Sequence, residues 1–311
     1  MAKELGRVLT AMVTPMDDAG KVDFKQAGRL AKALVDSGSD GVVVAGTTGE
    51  SPTLTHEEKL RLFAEVKSAL GSRGNVVAGT GTYDTRESAE FSREAEKQGV
   101  DAVMAVVPYY NKPPQEGLYQ HFKAIAGAVH IPVLLYNVPS RTSLNMSHET
   151  IIRLSAIENI CGVKEAGSDL DQVTRVVDGA RPGFRVWSGN DNETFYIVAV
   201  GGYGIVSVAS HLVGAQIRQM IGYVLDGQVE KAAAEHRRLH AMFKGLFIVS
   251  NPIPVKYLVN KAGFRVGNPR LPLVPPDAKT AQQLDGLLAQ YKVDLPAEHS
   301  PAPVTAKGSG G

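Results

Sequence analysis

The chain has 311 residues, 43% of them hydrophobic and 21% charged, with a formal charge of +1. That length suits one large α/β barrel or two medium domains, and the near-neutral balance offers no basic field for nucleic acid and no acidic field for cations. Cys161 is the only cysteine, MAKELGRVLTAMVTP lacks the apolar core of a signal peptide, and no apolar run reaches membrane-spanning length, so the expectation is a cytoplasmic protein with neither an intrachain disulfide nor a membrane partner.

In chain order, short apolar runs alternate with longer amphipathic ones. RVLTAMVTP precedes a helical pattern, FKQAGRLAKALVDSG, that stops at Gly38. DGVVVAGTTGE leads to HEEKLRLFAEVKSALG, where Thr55 and Glu58 suit a capping box. NVVAGTGTYD precedes TRESAEFSREAEKQG, DAVMAVVPYYN precedes QEGLYQHFKAIAGAV, and IPVLLYNVPS precedes SHETIIRLSAI. ICGVKEAG is followed by DLDQVTRVVDGA, FRVWSGND by ETFYIVAVGG, and YGIVSVAS by LVGAQIRQMIGYVLDG. These eight uninterrupted units, with strands that read as near-continuous Val/Ile/Ala runs, predict a closed (β/α)8 TIM barrel over residues 1–225. An open doubly wound sheet would carry fewer strands and a nucleotide fingerprint. Residues 226–295 read as helices without strands, a helical appendage packed on the barrel and a candidate assembly surface. Residues 296–311 have the Pro/Ser/Gly composition of a disordered tail.

Active sites of such barrels form where strands end and βα loops begin. The polar residues at those positions are rich in hydroxyls, contain one lysine, and lack the histidine and carboxylate clusters of a metal site, so no metal is expected. His236 and His240 share a helical spacing, but they lie beyond the barrel and read as a solvated helix face. Carbonyl chemistry without a metal needs covalent help.

Lys164, in NICGVKEAGSD, can supply it. Alternation puts Gly162, Lys164 and Ala166 on one strand face and Cys161 and Val163 on the other, leaving room for a ligand beside the amine. Desolvation there favours the neutral amine, which condenses with a ketone to an imine. The pattern alone equally fits a lysine ion-paired with Glu165. Tyr136, at a strand end in PVLLYNVPSRT, is either a proton relay or a core tyrosine with a satisfied hydroxyl. Arg141, in the following loop, is either a bidentate carboxylate grip or a surface arginine. In AGTTGES, glycines flank Thr47 and Thr48, and the segment reads as a small-anion site that lacks the Lys-Ser/Thr of a P-loop.

GTTGES, PYYNKP, YNVPSRT and GVKEA together, in that order and spacing, resemble the dihydrodipicolinate synthase family of pyruvate-dependent class I aldolases over about Leu9 to Leu288. The resemblance implies a lyase that condenses pyruvate with L-aspartate 4-semialdehyde to 4-hydroxy-tetrahydrodipicolinate, the first committed step of diaminopimelate and lysine biosynthesis. It implies no cofactor beyond a covalent pyruvate imine. Lys164 would be the Schiff-base lysine, Tyr136 the proton relay completed by Thr48 and Tyr110, and Arg141 the grip on the aldehyde's carboxylate. Thr47 and Thr48 would hold pyruvate's carboxylate, with Val206 and Gly189 lining the imine pocket. Tyr110 reaches a neighbouring subunit's site in the family, which implies a homotetramer built as a dimer of dimers. N-acetylneuraminate lyase and 2-keto-3-deoxy sugar acid aldolases, relatives with other acceptor aldehydes, are the alternative reading. In regulated members a lysine effector binds near ESPTLTHEEK and TYDTRES; Ser51, His56, Glu87 and Tyr109 match that site. Lys59 replaces a frequent histidine and Tyr83 a frequent asparagine, so weak or absent inhibition is expected.

Overall fold

The computed structural model describes residues 4–298. Among them, eight parallel strands close a barrel in chain order: β1 (Val8–Ala11), β2 (Gly41–Val44), β3 (Asn75–Gly79), β4 (Ala102–Val106), β5 (Val133–Asn137), β6 (Ile160–Glu165), β7 (Arg185–Ser188) and β8 (Gly204–Ser207). Strand β8 pairs with β1, Leu9 opposite Val206, so the sheet has no open edge. The strands are buried on both faces, which is why they read as apolar runs. Their outward side chains, such as Val42, Val103 and Leu135, join one core with the helices, while Leu9, Val43, Leu134, Trp187 and Val206 fill the barrel's interior.

The barrel helices are α1 (Phe24–Asp36), α2 (His56–Leu70), α3 (Thr85–Lys97), α4 (Gln115–Ala126), the one-turn α5 (Pro139–Thr142), α6 (His148–Ser155), α7 (Leu170–Gly179), α8 (Thr194–Ala199) and α9 (Ser210–Leu225). Asp23, Thr55, Asp84, Ser147 and Asp169 each accept the backbone N–H three residues on, so the cap residue fixes where α1, α2, α3, α6 and α7 begin. Both halves of the Thr55/Glu58 capping box are present. The appendage is α10 (Val229–Gly245), α11 (Ile253–Lys261) and α12 (Ala278–Leu288).

Four local expectations differ from the structure. Cys161 joins the interior cluster rather than the outer face, because the β5–β6 register shifts between Val133 and Leu134 and makes it an extra residue. His236 is not on a solvated face: it is buried beside the rings of Phe195, Tyr196 and Phe243, because α10 packs on α8. Arg141 stands on α5 rather than in an irregular loop. Glu298, at the start of the expected tail, accepts a hydrogen bond from Gln26 and donates its backbone N–H to Gly263; the remainder of that tail lies outside the described residues.

Candidate active site

The loop after β2 begins and ends in left-handed backbone, Ala45 at φ +52° and Glu50 at φ +59°, each a conformation that costs a non-glycine residue about 1 kcal/mol. Between them lie Gly46, Thr47, Thr48 and Gly49. The loop is pinned from outside. Thr14 Oγ1 donates to the Gly49 carbonyl at 2.6 Å, and Asn251 Nδ2, from the segment before α11, donates to Thr48 Oγ1 at 2.9 Å. A Cβ at Gly79 would stand 2.4 Å from the Ala45 carbonyl oxygen, so only glycine lets β3 pass this close.

Across the barrel, Lys164 is paired in register with Tyr136 of β5 and Trp187 of β7. It is buried, and its Nζ sits 4.2 Å from the centre of the Tyr136 ring. The ion-pair alternative is absent: Glu165 faces the opposite way, accepting from Asn137 Nδ2 at 3.0 Å, the Gly167 N–H at 2.6 Å and Gln172 Nε2 at 3.1 Å. Burial raises the Glu165 carboxyl above its ordinary value, and those three donors oppose the rise. The carboxylate that does feel Lys164 is Asp191, buried beyond β7 and held by the Ser207 hydroxyl and the N–H groups of Val208 and Ala209. Burial raises it too, against its donors and the Lys164 charge.

A cavity of about 240 Å³ opens at the C-terminal end of the strands, lined by Thr47, Met104, Val106, Tyr136, Val138 and Arg141 among others. Thr47 is half-buried, Thr48 is buried behind it, and Arg141 is exposed with Nη2 3.4 Å from the Asn251 carbonyl. Val206 is fully buried in the interior cluster. Gly189 donates its N–H to the Glu165 carbonyl at 2.6 Å, and a Cβ there would meet Ala166 Cβ at 2.6 Å. Of the sequence-derived catalytic and substrate-binding set, Thr47, Tyr136 and Arg141 line the cavity, and Lys164 reaches it only through its contact with the Tyr136 ring; Thr48, Val206 and Gly189 are not among its lining residues. Tyr110 lies away from the cavity, 91% exposed and at φ +76°. Among the described residues no three His, Cys, Asp or Glu side chains gather as ligands for a metal ion.

The candidate effector residues are contiguous with this site. Ser51, Lys59 and Tyr109 line the same cavity, and Tyr83 packs edge-on against Tyr109 with ring centres 5.2 Å apart. Burial lowers the Lys59 ammonium from its usual value against the pull of Glu87, and burial raises the Tyr109 phenol. Glu87 accepts from the Thr82 hydroxyl at 3.2 Å, while His56 is exposed and bonded to Glu94 at 2.7 Å. Sequence reasoning missed Asn251 and Lys256, which reach the GTTGE loop from the appendage across some two hundred residues of chain.

The model of the Dihydrodipicolinate synthetase family matches residues 4–291. The chain belongs to that family. A 4-hydroxy-tetrahydrodipicolinate synthase of Dehalococcoides mccartyi is 57% identical over 294 residues, covering 94% of this chain and 99% of the relative. Among solved structures, a dihydrodipicolinate synthase of Bacillus anthracis is 45% identical with a TM-score of 0.90, covering 92% of this chain and 98% of the other. The family's enzyme from Cyanidioschyzon merolae, solved with lysine bound, is 44% identical with a TM-score of 0.91 at the same coverage. The family's TIM barrel and the sequence-derived fold are thus the same.

Proposed function

We propose that the chain is a 4-hydroxy-tetrahydrodipicolinate synthase that condenses pyruvate with L-aspartate 4-semialdehyde, acting in the cytoplasm on the route to diaminopimelate and lysine. The observation that carries the chemistry is a buried lysine amine set against a tyrosine ring that lines a cavity together with Thr47 and Arg141. Lys164 Nζ attacks the keto carbon of pyruvate and water leaves, giving an imine. The protonated imine draws electrons from the methyl group, whose proton departs through Tyr136, with Thr48 completing the relay. The resulting enamine attacks the aldehyde carbon, and its oxygen takes up a proton. The amino group of the condensed substrate then adds to the imine carbon, closing the ring and releasing Lys164. The protonated imine is itself the electron sink, so no external cofactor enters.

Thr47 and Thr48, with the backbone N–H groups of their glycine-flanked loop, suit pyruvate's carboxylate, and Arg141 suits that of the aldehyde. A guanidinium at the mouth favours this acceptor over the polyol chains that sugar-acid aldolases take. Tyr110 points into solvent from its own chain, which supports the reading that it completes a neighbouring copy's relay in a homotetramer. Borohydride reduction in the presence of pyruvate should fix the pyruvate-derived mass on Lys164, located by peptide mass spectrometry. An unmodified Lys164 would remove the mechanism.

A further inference from the structure

Glu50 closes the GTTGE loop in a left-handed conformation, and its side chain is only 1% exposed, as is that of its partner Lys256 on α11. Lys256 Nζ has three acceptors for its three protons: Glu50 Oε1 at 2.8 Å, the Thr14 carbonyl at 3.0 Å and the Asn268 carbonyl at 2.9 Å. The second Glu50 oxygen accepts the Arg270 N–H at 2.8 Å. One ammonium thus ties together the loop after β1, the loop after β2, α11 and the segment that follows α11. Burying both charges is no more stabilising than filling the same volume with apolar side chains, and it holds only when every bond is made in one geometry. Here that geometry sits two residues from the Thr48 hydroxyl and one from the Gly49 carbonyl that Thr14 holds.

We propose that Lys256 and Glu50 are positioning residues for the reaction: their ion pair fixes the left-handed turn at Glu50 and so sets the Thr47 and Thr48 hydroxyls and N–H groups onto pyruvate's carboxylate. The inference rests on the reading that those threonines grip pyruvate. It makes the appendage part of the active site, since α11 supplies the cation. Lys256 touches no substrate; it acts through the loop. A clamp that served stability alone would leave pyruvate binding unchanged well below the unfolding temperature, whereas a positioning pair must shift it.

The test uses the full chain and two variants. The double substitution Glu50→Gln with Lys256→Met removes both charges and avoids stranding one of them. Thr14→Val deletes a single hydroxyl bond to the same loop and keeps the charge pair, so it remains informative if the double variant does not fold. The pyruvate concentration that half-saturates borohydride trapping on Lys164 is measured in each, beside the apparent KM for aspartate semialdehyde. The expected result is a rise of about tenfold in half-saturating pyruvate for the double variant and about threefold for Thr14→Val, with the aldehyde KM held within a factor of two. Unmoved half-saturation in the folded variants, or an equal rise for both substrates, overturns the positioning role. Absence of an adduct in the unsubstituted chain overturns the parent reading and this one with it, so the two failures are told apart.

Discussion

At the scale of single residues, one signal occurs twice in this chain and carries two meanings. A lysine inside an apolar run marks both GVKEA and IPVKYLV. Lys164 lies in the barrel and forms no ion pair among the described residues, its amine against Tyr136; Lys256 has every proton bonded and a carboxylate at 2.8 Å. Local pattern singles out the first as a candidate because its strand and flanking small residues are legible, while leaving an ion pair with Glu165 open, and it passes over the second because Glu50 and Thr14 lie more than two hundred residues away. Arg141 shows the same limit: spacing placed it near a strand end, but its seat on a one-turn helix at the cavity mouth depends on Pro139 starting that turn. A charge-assisted contact from such a guanidinium contributes roughly 1.5–3 kcal/mol, and Arg141 is exposed, so the lower end applies. Arg141→Ala should therefore raise the apparent KM for aspartate semialdehyde about tenfold while moving that for pyruvate less than twofold. Steady-state kinetics with each substrate varied in turn will check this, and equal effects on both would strip Arg141 of its assignment.

At the scale of elements, all eight strands and their order were legible because strands buried on both faces are built mainly of apolar residues, which read as short runs even where Lys164 or Thr10 interrupts them. The register was less so. The shift beside Val133 rotates Cys161 into the interior, and burial there pushes its thiol up to about 12, which disfavours the thiolate that would react. The candidate effector surface is built by Ser51, α2, the N-terminus of α3 and the loop after β4. Relatives in this family include one solved with lysine bound, and Ser51, Lys59 and Tyr109 meet on one cavity wall here. An effector lysine would bring its ammonium toward Lys59, whose own cation is already poorly solvated, and toward Tyr83, whose ring occupies space against Tyr109. Activity measured against free lysine should fall by less than half at a millimolar concentration. Full inhibition below that would refute the expectation of weak or absent inhibition.

At the scale of the whole molecule, a near-zero net charge leaves little global repulsion at neutral pH, so acid stability is governed by buried groups. His211, in the first turn of α9, is fully buried, with Nδ1 2.8 Å from the Val208 carbonyl and Nε2 3.1 Å from the Val13 N–H. A carbonyl on one side and a donor on the other require the neutral ring protonated at Nδ1. Burial pushes the imidazole down to about 4, against the Val208 carbonyl, and buried His121 is likewise held at about 4. In the unfolded chain such rings take a proton near 6.5, so the folded state loses stability as pH falls from about 6.5 to 4. For one ring the loss by pH 4 is roughly 3 kcal/mol. Glu165 and Asp191 act in the opposite sense, because carboxyls raised by burial take up protons in the folded state before the unfolded one does. Gln at position 211 keeps a donor for Val208 and an acceptor for Val13 without titrating. Thermal unfolding followed from pH 7 to pH 4.5 should therefore show a shallower fall in Tm for His211→Gln than for the unsubstituted chain, with part of the slope left by His121. Parallel curves would mean that the buried ring at position 211 does not control the acid limb.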